Sequence, residues 1–547
     1  MSSRRFPADA VLILLPGGLL LLVLVLPLSL VLAQFITAGD EALALAHSVY
    51  YRQVFLFTAK QAALSTLLAL IAGTPGAYFI GRCRFPGRRL LKALATVPFV
   101  LPPILAVLGF VLLLGNGGLV NDVRRLIFGP DARPWKMLYS MKAIVLVHVF
   151  YNFPLTMRIV GDAWATLPLS EGRAARALGA GRIRAFFTVV LPRLLPGFAA
   201  AALITFIYCF MSFSIVLVLG GGPESSTLEV EIYRLIKQQL NFSQGAALAA
   251  AESVFLLFLL TLYALTDSNL RKTLKDDSLA LSLEPPKLLR GVRLAAALAY
   301  LIPAALFILG PLATIIGNSF FSRATWISPA AFSFSHWRRL FNFSESVSLG
   351  ALSRTAVFSL SVSFFTVCAA SALGQYAMRY PKSRKYLESL TALPLGISSI
   401  VIGTGWLLLL RHVPNHGAFR LAALGAAHSL SALPFCFRII YGRLKQLSPQ
   451  VSKAARVAGA SALKTLIHIE LPLARPALIT AGVFAFALSA GELNASLILA
   501  PGSFTTLPIA IYRLIGAYNF HSACALGTVL IIICAVAFYL LDRYGEN

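Results

Sequence analysis

Runs of roughly 20 predominantly apolar residues recur along this 547-residue chain, and each is long enough to cross a bilayer as a helix. A bilayer interior offers no water to backbone N–H and C=O groups, so a spanning segment must satisfy them internally, as a helix or within a closed barrel. The sustained two-residue alternation of a barrel strand does not occur. The chain therefore reads as an all-α membrane protein. Its composition, 58% hydrophobic and 12% charged with a mean hydropathy of +0.79, departs from the roughly 45–50% and 25% of soluble domains.

Windows of about 19 residues predict about twelve transmembrane helices, near 11–34, 55–80, 94–115, 141–160, 196–219, 247–267, 294–317, 355–378, 390–410, 420–440, 476–500 and 524–541. Arg4 and Arg5 precede an apolar run longer than a signal-peptide core, and Leu30 to Ala33 makes a weak cleavage site, so an uncut first helix is expected. With the N-terminus inside, most of the 47 Lys and Arg residues fall on cytoplasmic segments, as positive-inside topology requires. The loop with Arg124, Arg125, Arg133, Lys136 and Lys142 is the exception. The formal charge of +26 thus reflects topology and contact with membrane lipid, and with no soluble basic domain to carry it, nucleic acid is not an expected partner. Six cysteines, none in CxxC spacing, read as small packing residues.

The chain is duplicated. Ala174-Ala175-Arg176, Gly179-Ala180 and Leu191-Pro192 recur 280 positions later as Ala454-Ala455-Arg456, Gly459-Ala460 and Leu471-Pro472. At the same offset His148, Pro154, Arg158 and Pro196 match His428, Pro434, Arg438 and Pro476; Thr227 onward matches Thr506 onward at 279. Both copies of the basic motif follow an even number of spans, so the two six-helix units are parallel repeats. The expected division is 1–267 for the first half, 268–293 for a polar cytoplasmic linker and 294–547 for the second half.

In each copy the Ala pair and Arg can form about two helical turns, which Gly179 or Gly459 can end in the left-handed conformation. A second short helix follows, and Pro192 or Pro472 releases the chain into the next span. This builds a protruding knob. Alanine permits close approach of a partner and the arginines can meet acidic or carbonyl groups, although a basic segment beside a membrane can equally rest on anionic lipid.

The Ala-Ala-Arg-x-x-Gly-Ala sequence with Leu-Pro twelve residues beyond the Gly resembles the EAA loop of binding-protein-dependent ABC importer permeases. Two such loops in one chain resemble the fused permeases of the ferric-iron and thiamine families. The resemblance implies a type I importer permease, a multi-pass protein of the bacterial inner membrane. It would be served by two separate ABC ATPase subunits and by a periplasmic or lipid-anchored substrate-binding protein. It also implies that Ala174, Ala175, Arg176 and Gly179, with Ala454, Ala455, Arg456 and Gly459, couple to those ATPases. One departure stands out: the family's acidic residue before the Ala pair is Arg173 in one copy and Lys453 in the other.

Enzyme chemistry finds little footing. Gly459 to Thr465 approaches a phosphate loop but lacks the glycine before the lysine, so this chain is not expected to hydrolyse ATP; ATP would be used by partner subunits, and no cofactor is expected here. Neither HExxH nor paired Cys/His clusters occur, and no metal site is expected. His148 and His428 read as buried polar residues bonded to a helix neighbour or, less simply, as substrate ligands. Glu492, with Asn494 beside it and Ser212 as its counterpart, could line the pathway or bond a helix end. Gly220 to Pro223 is expected to turn at the outer membrane face, followed by an amphipathic helix. Glu224, Glu229 and Glu231 would then form an acidic outer patch, either for a binding protein or merely solvated. Ferric iron and thiamine are the cargoes implied by resemblance, with polyamine and phosphonate left open. A gradient-driven secondary transporter is the alternative function.

Overall fold

A computed structural model of the chain describes residues 8–167, 169–220, 222, 225–279, 287–321, 332–341, 347–380, 382–411, 417–447 and 449–545. The first half comprises α1 (Ala8–His47), α2 (Val49–Arg82), α3 (Pro103–Leu114), α4 (Met141–Thr166), α5 (Leu169–Ala177), α6 (Leu191–Phe210), α7 (Ser214–Leu219), α8 (Leu228–Tyr233) and α9 (Phe242–Leu279). The second comprises α10 (Val292–Asn318), α11 (Val347–Arg379), α12 (Ser399–Leu410), α13 (Gly417–Gln446), α14 (Pro449–Val457), α15 (Arg475–Ala490), α16 (Asn494–Leu499), α17 (Leu507–Gly516) and α18 (Phe520–Gly545). Among the described residues nine helices are long and apolar enough to cross a membrane, and up to eleven if each of two bent pairs counts as one span. The bends measure 91° before α12 and 65° before α15. A shorter apolar helix, Leu22–Thr37, lies within α1. Among the described residues, one two-residue parallel ladder joins Cys83–Arg84, after α2, to Lys287–Leu288, ahead of α10.

Each half lends its first helix to the other. α1 packs along α12 of the second half as well as α9, and α10 packs along α3 of the first half as well as α18. Close approach is made possible by a glycine at matching places. A Cβ on Gly405 of α12 would lie 2.3 Å from the Pro27 carbonyl oxygen, and one on Gly109 of α3 would lie 2.6 Å from the Pro311 Cβ and carbonyl oxygen. Proline supplies an apolar surface, and glycine makes the space. Large outward side chains such as Leu56, Ile71, Leu306 and Phe364 remain exposed, as a lipid-facing belt requires.

Four of the expected spans are broken, those at 94–115 and 390–410 at Leu101–Pro102 and Ile397–Ser398. The runs expected at 196–219 and 476–500 each stop being helical in the interior, at Met211–Phe213 and at Gly491–Leu493, before short helices α7 and α16 resume. The chain then folds back so that the Leu228 N–H donates to Thr58 Oγ1 (3.1 Å) and the Leu507 N–H to Thr355 Oγ1 (2.8 Å). These are the same bond in the two repeats, satisfying an orphan donor at the start of α8 and of α17. The segment expected to lie on the outer face is instead packed inside, with Leu228, Glu229, Glu231 and Ile232 buried. The sixth helix also runs past its expected end at 267, to Leu279.

Substituting Gly405 by Val should lower the thermal midpoint of the detergent-purified chain, since overpacking a close contact costs about 1–3 kcal/mol or more. Gly425→Ala, where the nearest atom is 3.8 Å away, should leave it unchanged. Circular dichroism melting of both variants checks this.

Candidate functional site

The two expected knobs have the same construction. In the first, the Ala180 N–H donates to the Ala175 carbonyl and the Gly179 N–H to the Arg176 carbonyl, each at 3.0 Å; in the second, the Ala460 N–H donates to the Ala455 carbonyl at 3.0 Å. Gly179 has φ +92° and Gly459 φ +87°. This is a Schellman ending, which needs a left-handed residue and therefore favours glycine. Short helices at Arg182–Ala185 and Ala462–Thr465 follow, then a π-helical turn in each copy, then the proline-led helix. Ala185 and Thr465, at equivalent positions, are buried beneath the knobs.

Ala174, Ala454, Gly179 and Gly459 are exposed, Ala175 and Ala455 half-buried, and Arg176 is exposed. Arg456 belongs to the second knob's helix, and its side chain lies outside the described residues. Beside the glycine corners, Leu178 is 90% exposed and Val457 89%. A large aliphatic side chain left so open marks a contact surface. Their exposure was hidden in the sequence, where the helix register around the corner is ambiguous.

The second candidate feature is a cavity of about 350 Å³ between the halves. The repeat lines it in pairs: Ser212 with Glu492, Ser214 with Asn494, Tyr151 with Ser431, Leu155 with Phe435, and Tyr208 with Leu488. Ser214 Oγ donates to Asn494 Oδ1 at 2.5 Å, across 280 positions of sequence. Two equivalent residues in contact place the pseudo-two-fold axis at that bond. The broken helices thus meet at the axis, and irregular backbone at membrane depth borders a cavity, which is where it is tolerated.

The sequence-predicted Glu492, Asn494 and Ser212 therefore share one site, but Glu492 is already engaged. Its Oε1 accepts from the Ala495 N–H (2.9 Å), and its Oε2 from the Ser496 N–H (3.2 Å) and from His428 Nε2 (3.1 Å). A carboxylate can only accept, so Nε2 of His428 carries a proton, and Nδ1 meets Ser489 Oγ at 2.9 Å. Glu492 caps α16 and is fixed by a histidine. In the first half Ser212 replaces the carboxylate. There His148 Nδ1 meets Ser65 Oγ at 3.1 Å, and its Nε2 is buried without a hydrogen-bond partner. The two histidines look alike in sequence and differ in what they can offer the cavity.

Among the described residues, Glu229 and Glu231 do not form the expected outer acidic patch. Glu229 and Glu231 are 0% and 1% exposed, because α8 turns both inward with its apolar residues. Glu231 accepts from Tyr50 Oη (3.0 Å) and pairs with Arg234 (2.7 Å). Glu224 lies outside the described residues. None of the six cysteines is in a disulfide, and all but Cys368 are buried, consistent with packing.

A double-mutant cycle on His428→Ala and Glu492→Gln, read by thermal or denaturant unfolding, should return a coupling energy of about 1–3 kcal/mol. The corresponding cycle on His148→Ala and Ser212→Ala should return near zero.

The model of the family described as "Binding-protein-dependent transport system inner membrane component" matches residues 65–272 and 366–545. Among similar proteins, the thiamine transport system permease protein ThiP of Brucella abortus (strain 2308) is 27% identical over 507 residues, covering 91% of this chain and 88% of the relative. ThiP of Escherichia coli (strain K12) is 26% identical, covering 100% and 99%. The ferric transport system permease protein FbpB of Actinobacillus pleuropneumoniae is 24% identical, covering 82% and 65%. A gradient-driven secondary transporter is set aside by the family match, which spans both repeats. The chain belongs to the family of inner-membrane components of binding-protein-dependent transport systems, as a fused, multi-pass permease of an ABC importer.

Proposed function

We propose that the chain forms the whole translocation pathway of a thiamine importer, with the cavity on the pseudo-two-fold axis as its waypoint. The observation that carries this reading is the pairing of equivalent residues around one cavity at the breaks of two spans. A pathway shared by both halves must be walled by both. Thiamine is favoured by the relatives aligned over nearly the full length of both chains, and by the rings of Tyr151, Tyr208, Phe435 and Phe484 in the lining, which suit a flat organic cation.

The knobs are the sites at which two ATPase subunits act. A substrate-binding protein delivers cargo from outside, the ATPases bind and use the ATP on separate chains, and this chain carries no cofactor. Ala174, Ala175, Arg176 and Gly179, with Ala454, Ala455, Arg456 and Gly459, form the two coupling surfaces, and Leu178 and Val457 add an apolar contact to each. Closure of the ATPases draws the knobs together and changes which side of the membrane the cavity faces. Such coupling needs contacts that differ between the two states. Arg173 stands where the family has a carboxylate, so the contact on that side is cationic.

Uptake of labelled thiamine by liposomes holding the permease, its ATPases and its binding protein tests the substrate; uptake of ferric iron without thiamine uptake would reject it. Gly179→Val and Gly459→Val should each reduce uptake at least tenfold while the chain still inserts, because a β-branched residue at positive φ costs about 1–2 kcal/mol and distorts the corner. Leu178→Asp and Val457→Asp should weaken co-purification of the ATPases. Parental uptake in both glycine variants would contradict the coupling assignment.

A further inference from the structure

Beyond the cavity wall lies a pair of carboxylates that the transport reading does not use. Glu229 of α8 and Glu252 of α9 are 0% and 1% exposed. All four of their oxygens are buried without a hydrogen-bond partner, and α8, which carries Glu229, packs along α9, which carries Glu252. The hydroxyl of Ser398 sits beside Glu229. Ser398 is the N-cap of α12, where its Oγ accepts from the Val401 N–H at 3.1 Å. The pair therefore joins two helices of the first half to the positive end of a twelve-residue helix of the second. The next residue, Ser399, lines the cavity and meets Ser431 Oγ at 3.3 Å.

The repeat acts as a control. Aligning Thr227 with Thr506, Asn241 with Asn519 and Pro98 with Pro394 places Pro508, Leu530 and Pro102 opposite Glu229, Glu252 and Ser398. All three positions are apolar in the other interface, so the architecture itself does not require acids there. Other charged or titratable groups on the surrounding elements are committed elsewhere or face outward. Glu231 and Arg234 bind one another and Tyr50. Lys237 donates to the Ile498 carbonyl (3.1 Å). On α2, Arg52 and Lys60 are exposed and Tyr51 donates to Gln244. On α6, Tyr208 lines the cavity, and Cys209 accepts from Asn152. On α4, His148 meets Ser65. Arg411 lies at the far end of α12. Two buried carboxylates this placed cannot both remain ionised, because each unpaired buried charge is strongly disfavoured and like charges repel.

We propose that Glu229 and Glu252 form a proton-binding site, in which one proton is held between the two carboxyl groups and the remaining single negative charge faces the N-terminus of α12. The proton lets one oxygen donate to the other, supplying the hydrogen bond that both lack, and fastens α8 and α9 to the turn at Leu393–Ser398. That turn has the cavity on its other side. A rearrangement of the cavity wall that moved Ser398 away would expose the pair and release the proton.

Infrared spectroscopy of the purified full chain in detergent at neutral pH tests this without transport. The wild type should show the carbonyl band of one buried, slowly exchanging carboxylic acid that is missing from the double variant Glu229→Gln/Glu252→Gln. Each single variant should keep a band at a shifted frequency, since the acceptor is then an amide. Glutamine preserves the shape of the site, and a melting curve for each variant establishes that it is folded. Spectra of folded wild type and double variant with the same carboxylic-acid content would overturn the proposal. So would a wild type that lacks the band and is stabilised by sodium or potassium ions when the double variant is not, since a metal cation would then be the occupant.

Discussion

A bilayer interior leaves no backbone group unpaired, and the architecture of this permease follows from how it meets that demand where its helices break. At Met211–Phe213 and Gly491–Leu493 the chain stops being helical inside the protein, and side chains meet backbone groups there: Gln61 Nε2 donates to the Cys209 carbonyl beside the first break, and Glu492 takes up the Ala495 and Ser496 N–H groups at the second. Glu492 caps the resumed helix, His428 fixes Glu492, and Ser214 bonds Asn494 across the axis. Lys237 from the first half meets the last turn of α16 through the Ile498 carbonyl, where a cation is favoured. The breaks are therefore joints between the halves, and the cavity they border belongs to both.

The two halves share a backbone plan and differ in polarity at chosen points. Thr58 and Thr355 make the same bond, and Gly109 and Gly405 make the same space. The histidines part company: His428 is tied by two serines and a carboxylate, while His148 keeps an unpartnered nitrogen near the cavity. The buried acids occur in one interface only. A gene duplication supplies symmetric scaffolding, and these are the places where the symmetry is broken.

Much of this was legible in the sequence. Apolar runs fixed the membrane class, and the knobs were readable because a left-handed helix ending needs Gly179 and Gly459 where they stand. The breaks were not legible. Met211–Phe213 lies within an apolar stretch whose hydropathy is the same whether the helix continues or folds back. Glu229 and Glu231 read as surface charges because acids near a glycine-rich turn usually are. Their burial depends on Tyr50, far away in sequence, and on α9 packing over them. The crossing of α1 and α10 into the opposite halves rests on close contacts between distant glycines and prolines, which no local pattern records. Leu178 and Val457 were visible as residues; only the folded corner left them exposed.

The central claim is that the two repeats meet at one axis and that the pathway opens along it. Disulfide trapping tests it most directly, using Ser214→Cys with Asn494→Cys in a chain whose six native cysteines are replaced, assembled with its ATPases and binding protein. The account predicts that mild oxidation cross-links the pair efficiently, stops substrate uptake and is reversed by reductant. Failure to cross-link, or full uptake through a cross-linked permease, would contradict it.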